Sequence, residues 1–172
     1  MNPSKYQELQ NAVEILRNSI VDKNINLDFS IDSVKHLDYI LETAFKNGKL
    51  KNPNGAFAQH LGLMMLGLSG YVAEVFLKNT ANAKLDIDEN NENWYTDFKV
   101  ISENGRTLQP AIRVVRRADE GRERELYAYA LSAIKYFNTL REESTNTNTY
   151  IEEVYVRDDL KQEIKKACWK FW

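Results

Sequence analysis

Gly55 to Lys78 reads GAFAQHLGLMMLGLSGYVAEVFLK, the most apolar stretch of a chain of 172 residues, and what it forms decides the fold. Drawn on a helical wheel, its apolar residues fall nearly all round, so the pattern predicts a helix buried on most sides. A membrane span needs about 20 mostly apolar residues. Gln59 and His60 precede the apolar run, and Ser69 and Glu74 interrupt it. The reading is therefore the central helix of a soluble protein. Gly62, Gly67 and Gly70 lie inside it, each costing about 1 kcal/mol of helix propensity against alanine. Ala58, Gly62, Ser69 and Ala73 share one face, so a neighbour packed closely along that seam is the expected compensation.

Working outward, residues 4–22 carry Tyr6, Leu9, Val13, Leu16 and Ile20 at spacings of three and four, a first amphipathic helix. Leu27 and Phe29 alternate with polar neighbours, as a short strand would. A second helix starts near Ser30 or Asp32, with Val34, Leu37, Leu41, Ala44 and Phe45 inward, and Asn47-Gly48 reads as its C-cap. After the central helix, residues 86–93 are acidic and amide-rich, a loop. The period then changes. Residues 94–101 and 107–117 read as strands of a β-hairpin, joined through Asn104-Gly105 in a two-residue turn that would pair Ile101 with Leu108. Pro110 has no N–H for such a ladder, so a bulge or an outer edge is expected there. A fourth helix spans about 123–141, with Leu126, Ala130, Ile134 and Phe137 inward. Residues 144–149 (STNTNT) form a linker, 150–156 alternate like a strand, and 158–172 read as a last helix with Leu160, Ile164, Cys168 and Phe171 on one stripe.

These elements predict one α+β domain over 1–172: a helical bundle packed on a small antiparallel sheet built around the hairpin at 94–117. Its parts are the N-terminal helix 4–22, a core at 30–141, and the C-terminal strand and helix at 150–172. Hydrophobic residues make up 43% and charged residues 28%, which suits a folded chain and not a disordered one. The net charge of -2 gives no global field for nucleic acid or an anionic membrane. Cys168 is the single cysteine, so no disulfide forms within the chain. The N-terminus lacks an apolar signal segment, and a cytoplasmic location is expected.

Candidate chemistry is sparse. With His36, His60 and one cysteine, no zinc spacing exists, and no metal or cofactor is expected. Asp86 to Glu92 has oxygens at the first positions of a calcium loop. It lacks the glycine of the sharp turn, and Asp97 stands where the bidentate glutamate belongs. No nucleophile elbow, phosphate loop or dinucleotide fingerprint is present. Arg106, Arg113, Arg116, Arg117, Arg122 and Arg124 crowd one hairpin and helix start. Guanidinium groups there suit carboxylate or phosphate, yet Asp119, Glu120, Glu123 and Glu125 are interleaved. The group reads either as a self-paired surface or as an anion or acidic-partner site. Glu74, within GYVAEVFL, must be paired or neutralised if buried, and Arg113 or Arg116 is its expected partner. That pair is either structural or part of a cleft. Trp169, Phe171 and Trp172 close the chain as core or as an interface anchor.

The order of motifs resembles a group of bacterial domain-of-unknown-function proteins. The shared elements are Ser30-Ile-Asp-Ser-Val-Lys-His-Leu-Asp38, the run Gly70-Tyr71-Val72-Ala73-Glu74-Val75, Trp94, and the segment from Gly105 through Pro110 to Val114 and Arg116. The likeness covers roughly residues 30–130. Ala73 stands where those proteins carry glycine, and the glycine pair before the tryptophan is missing. Some similar small domains act as immunity proteins beside secreted toxins. The resemblance implies a non-enzymatic protein that binds a macromolecule, of immunity or regulatory type. Expected binding residues are Glu74, Trp94, Arg113, Arg116 and Arg117. Another protein is the expected partner, with a homo-oligomer as a further arrangement and nucleic acid disfavoured. The alternative is an enzyme of undefined class with Glu74 and the hairpin arginines in its cleft.

Overall fold

The computed structural model describes residues 3–20 and 24–138. The expected strand at 150–156, the last helix, Cys168 and the terminal aromatics lie outside those residues. Helices dominate, with two small antiparallel sheets beside them, so the α+β expectation holds.

The buried helix is α4 (Leu61–Asn79), preceded by the short α3 (Ala56–Gln59). The two do not fuse, because His60 leaves helical geometry (φ -118, ψ 30). Long and apolar enough to cross a membrane, α4 nonetheless has 67% of its apolar window buried inside the protein. Helix α1 (Lys5–Ser19) packs along it, started by a capping box in which Ser4 and Gln7 satisfy each other's backbone N–H groups. The seam between them is not the one expected. A Cβ on Gly67 would lie 2.6 Å from the Ala12 carbonyl, and one on Gly70 would lie 2.7 Å from Val13 Cγ2. These two glycines let the helices approach. Ser69 faces elsewhere, toward Ala111 and Val115, and turns its hydroxyl back to the Met65 carbonyl at 2.7 Å.

Helix α2 (Val34–Ala44) ends in a hairpin rather than a glycine cap. Asn47 (φ 50) and Gly48 (φ 72) both hold positive φ and join β1 (Phe45–Lys46) to β2 (Lys49–Leu50), with Lys46 opposite Lys49. This is the two-residue turn expected at 104–105. Residues 24–29 form no strand; Phe29 sits at φ 64 instead. Tyr71 compensates: its hydroxyl accepts the Phe29 N–H at 2.8 Å and its ring stacks on Phe29 at 4.7 Å.

The second sheet orders β3 (Lys84–Asp86), β4 (Lys99–Ile101) and β5 (Thr107–Leu108). Trp94 opens the short helix α5 (Trp94–Asp97) instead of a strand. Val100 pairs with Leu108 and Ile101 with Thr107, one residue off the expected register. The loop therefore has three residues, and only Gly105 (φ 78) takes positive φ. The segment 110–117 is not a strand. Pro110 occupies the first turn of α6 (Pro110–Glu120), where its missing N–H has no partner to lose. Ala111, Val114, Val115 and Ala118 then recur at helical spacing and are buried. A 3₁₀ turn (Gly121–Arg124) leads into α7 (Leu126–Asn138), which packs on α2 and α4.

Candidate functional site

Asp38 joins three helices. It projects from α2, and Arg117 of α6 donates from Nε to its Oδ1 at 2.7 Å. The first-turn N–H groups of α7 complete the set. Leu126 N donates to Oδ1 at 2.9 Å and Tyr127 N to Oδ2 at 2.9 Å. Arg117 is 3% exposed, and its charge is met by this carboxylate, with Glu42 farther off at 3.9 Å from Nη2. One side chain thus neutralises a buried guanidinium and caps a helix whose N-terminus favours negative charge. This pair supports the site; it does not face solvent.

Beside it, α6 and α7 meet across the 3₁₀ turn, and residues of both line an open cleft of about 430 Å³. Arg113 and Arg116 of α6 line one wall; Tyr129 and Ser132 of α7 line the other. Arg122 and Arg124 stand on the connecting turn. The Arg113 guanidinium lies 4.3 Å from the centre of the Tyr129 ring. Burial pushes the Tyr129 phenol up, while the charge and hydrogen bond of Arg113 pull it partway back. Glu120 lies 3.6 Å from Arg116 and 2.5 Å from Arg124, and Arg122 Nε donates to Glu42 at 2.9 Å. The Arg122 hydrogen bond holds the Glu42 carboxyl below its ordinary range.

The expected binding residues do not converge on one place. Arg113 and Arg116 reach the cleft. Arg117 turns inward to Asp38. Trp94, 8% exposed, belongs to the core against Tyr95. Glu74 accepts from Gln10 Nε2 of α1 at 2.5 Å, and pairs with no arginine among the described residues. The expected Glu74–arginine contact fails because 110–117 is a helix packed on another face of α4. Asp38 and Tyr129 were not anticipated as site residues. An acid among the inward positions of the second helix was the available signal.

Other candidates resolve plainly. Lys5 Nζ donates to the Asp88 and Asn91 carbonyls at 3.2 and 2.7 Å, so an ammonium group sits on the acidic loop. Among the described residues no three His, Cys, Asp or Glu side chains gather as metal ligands. His36 is half-buried and His60 exposed. Comparison with protein-family models, with curated proteins and with solved structures finds no match for this chain.

Proposed function

We propose that this is a cytoplasmic, non-catalytic protein of immunity or regulatory type that binds another protein through the α6–α7 cleft. The observation that carries the reading is the charge pattern of that cleft. Arg113, Arg116, Arg122 and Arg124 line it together with Glu123 and Glu125, and from its rim Glu120 pairs with Arg116 and Arg124 and Glu42 with Arg122. A nucleic-acid backbone offers only negative charge and is best met by an unbalanced basic face. A fixed pattern of both signs favours a protein surface carrying the complementary pattern, which selects partner and orientation more than it adds affinity. Arg113, fixed over Tyr129, adds a preordered aromatic and guanidinium contact of the kind common at the centres of interfaces. The alternative, an enzyme using Glu74 with these arginines, draws no support from a carboxylate bonded to Gln10.

The test places a photo-crosslinking residue at Ala128, exposed in the cleft, and at Asn82, exposed elsewhere, in the native cell. A single protein should be captured from Ala128 and not from Asn82. Arg113→Glu with Arg124→Glu should abolish capture, and a reciprocal acid-to-arginine change in the partner should restore it. Capture that ignores charge reversal would overturn the proposal, as would no capture from Ala128.

A further inference from the structure

The α6–α7 cleft has two ends of unlike chemistry. At the connecting turn stand Arg122, Glu123, Arg124 and Glu125. Away from the turn stand Arg113 of α6 and, on the other wall, Tyr129 and Ser132 of α7. We infer that this far end takes a single carboxylate side chain, an aspartate or glutamate of the partner protein, held by the Arg113 guanidinium and the Tyr129 and Ser132 hydroxyls. The inference rests on the reading of the cleft as a protein-binding surface and adds what the partner must bring to it.

The pairing of the arginines supplies the first reason. Arg116 and Arg124 share Glu120, and Arg117 and Arg122 share Glu42. Arg113 differs. It is half-buried, and no carboxylate of the described residues lies within ion-pair distance of it. Its guanidinium rests against the Tyr129 ring instead, 4.3 Å from the centre. A ring face attracts the cation but accepts few of its N–H groups, whereas a carboxylate accepts two parallel N–H bonds from the planar fork. The ring also fixes the guanidinium in place before anything binds, which lowers the cost of ordering it.

The hydroxyls supply the second reason. Tyr129 accepts a hydrogen bond from Arg113, which leaves the phenol its own proton to donate. That proton has no acceptor among the described residues. Burial raises the phenol above its ordinary range, so it stays protonated at neutral pH. Ser132 follows Tyr129 by three residues, so their side chains are neighbours on the α7 surface, and Ser132 is exposed. A guanidinium on one wall and hydroxyl donors on the other suit a group that only accepts, as an ionised carboxylate does. The turn supplies the third reason and limits the ligand to one acid. Glu123 and Glu125 are exposed there, and neither has an ion pair among the described residues. A run of acids or phosphates laid along the cleft would meet these two carboxylates; an isolated acid at the far end does not.

The test is amide NMR on the full chain, titrated with the capped peptide acetyl-Gly-Glu-Gly-amide, its glutamine counterpart, sodium acetate and inorganic phosphate. The glutamate peptide should shift residues 113, 129 and 132 saturably and bind about fivefold tighter than the glutamine peptide. Arg113→Gln should close that gap. Tyr129→Phe, which keeps the ring, and Ser132→Ala, at an exposed position, should each narrow it, so the inference stays testable if Arg113→Gln unfolds the chain. Equal binding of the two peptides, a gap untouched by all three substitutions, or tighter binding of phosphate would overturn it. Tighter binding of acetate than of the glutamate peptide would assign a free acid and overturn it too. Capture from Ala128 is read separately. A partner captured there while the two peptides bind equally leaves the protein-binding reading standing and ends this inference. A glutamate preference without capture ends the protein-binding reading and, with it, the partner as the source of the carboxylate.

Discussion

Replacing Asp38 by asparagine keeps the size and shape of the side chain and removes its charge. In the wild type both carboxylate oxygens accept: Oδ1 from Arg117 Nε and Leu126 N, Oδ2 from Tyr127 N. An amide in the same place puts an NH₂ group against one of these donors and leaves Arg117, 3% exposed, with only the more distant Glu42 carboxylate, 3.9 Å from its Nη2, as counter-charge. Breaking one side of a buried ion pair costs about 3–5 kcal/mol. The lower end of that range is expected, because the asparagine oxygen still accepts from part of the set. For a chain this long, about 3 kcal/mol lowers Tm by roughly 6–12 °C. Arg117→Met removes the buried charge itself and leaves Asp38 capping α7, so it should cost less, about 1.5–3 kcal/mol. In the double variant neither charge is stranded, and the loss should fall short of the two single losses by about 2 kcal/mol. Urea unfolding with an unchanged m-value measures all three. A loss below about 1 kcal/mol for Asp38→Asn, or additivity within about 0.5 kcal/mol, would refute the three-helix junction.

Gly67→Ala should destabilise by about 1–3 kcal/mol, since the new methyl meets the Ala12 backbone and Leu16 Cβ and neither can swing aside; a wild-type urea midpoint would place α1 elsewhere. Gly48→Val should be worse than Gly105→Val. Both force a β-branched residue to positive φ, but only position 48 also drives a methyl into Asp119, so matched melting temperatures would count against the hairpin packing. Burial raises the phenol pKa of Tyr71 and Tyr129 above the ordinary 10.0. A raised folded-state pKa means that their stability contribution is complete below pH 10 and is lost as the unfolded chain, then the folded one, deprotonates. Absorbance at alkaline pH should show two late-titrating tyrosines that vanish in Tyr71→Phe and Tyr129→Phe; ionisation of all tyrosines together near 10 would refute their burial.

How far the fold could be read depended on whether one period fitted a segment. Residues 61–79 are apolar on every face and could only be a buried helix. Leu9, Val13 and Leu16 could only be one stripe. Residues 110–117 admit two readings. Arg113, Val114, Val115, Arg116 and Arg117 show no strict alternation, and the Asn-Gly just before them suggested a hairpin arm. What decides for helix is Pro110 at the first position with Ala111, Val114, Val115 and Ala118 behind it, a capping signal and a period together. The two Asn-Gly pairs exchanged expected roles for a related reason. At 47–48 both residues take positive φ and the strands follow directly. At 104–105 only the glycine does, because Ser102 and Arg106 close a loop one residue longer through the 2.9 Å hydrogen bond from Ser102 N.

The site was less legible, because its organising contact joins residues far apart in the chain. Asp38 follows Leu37 and precedes Leu41 by three, so a helical wheel places a carboxylate inside the apolar arc of α2. An acid there needs a partner, and three facts identify it: Arg117 lies beside the buried stripe of α6, α7 starts with no capping side chain of its own, and α2 touches both helices. Glu74 looked like the stronger candidate because α4 is so apolar, but apolar surroundings in sequence are not burial in space. The glutamate lies at the α1 edge, where Gln10 donates to it. The arginines then divide by what surrounds them. Arg117, enclosed, can only hold the fold together. Arg122 and Arg124 stand where water competes for them, so their contacts with Glu42 and Glu120 are weak enough to exchange for those of a partner, while Arg113 and Arg116 are half-buried beside them. That difference in enclosure, and not the number of arginines, separates the scaffold from the surface proposed to bind.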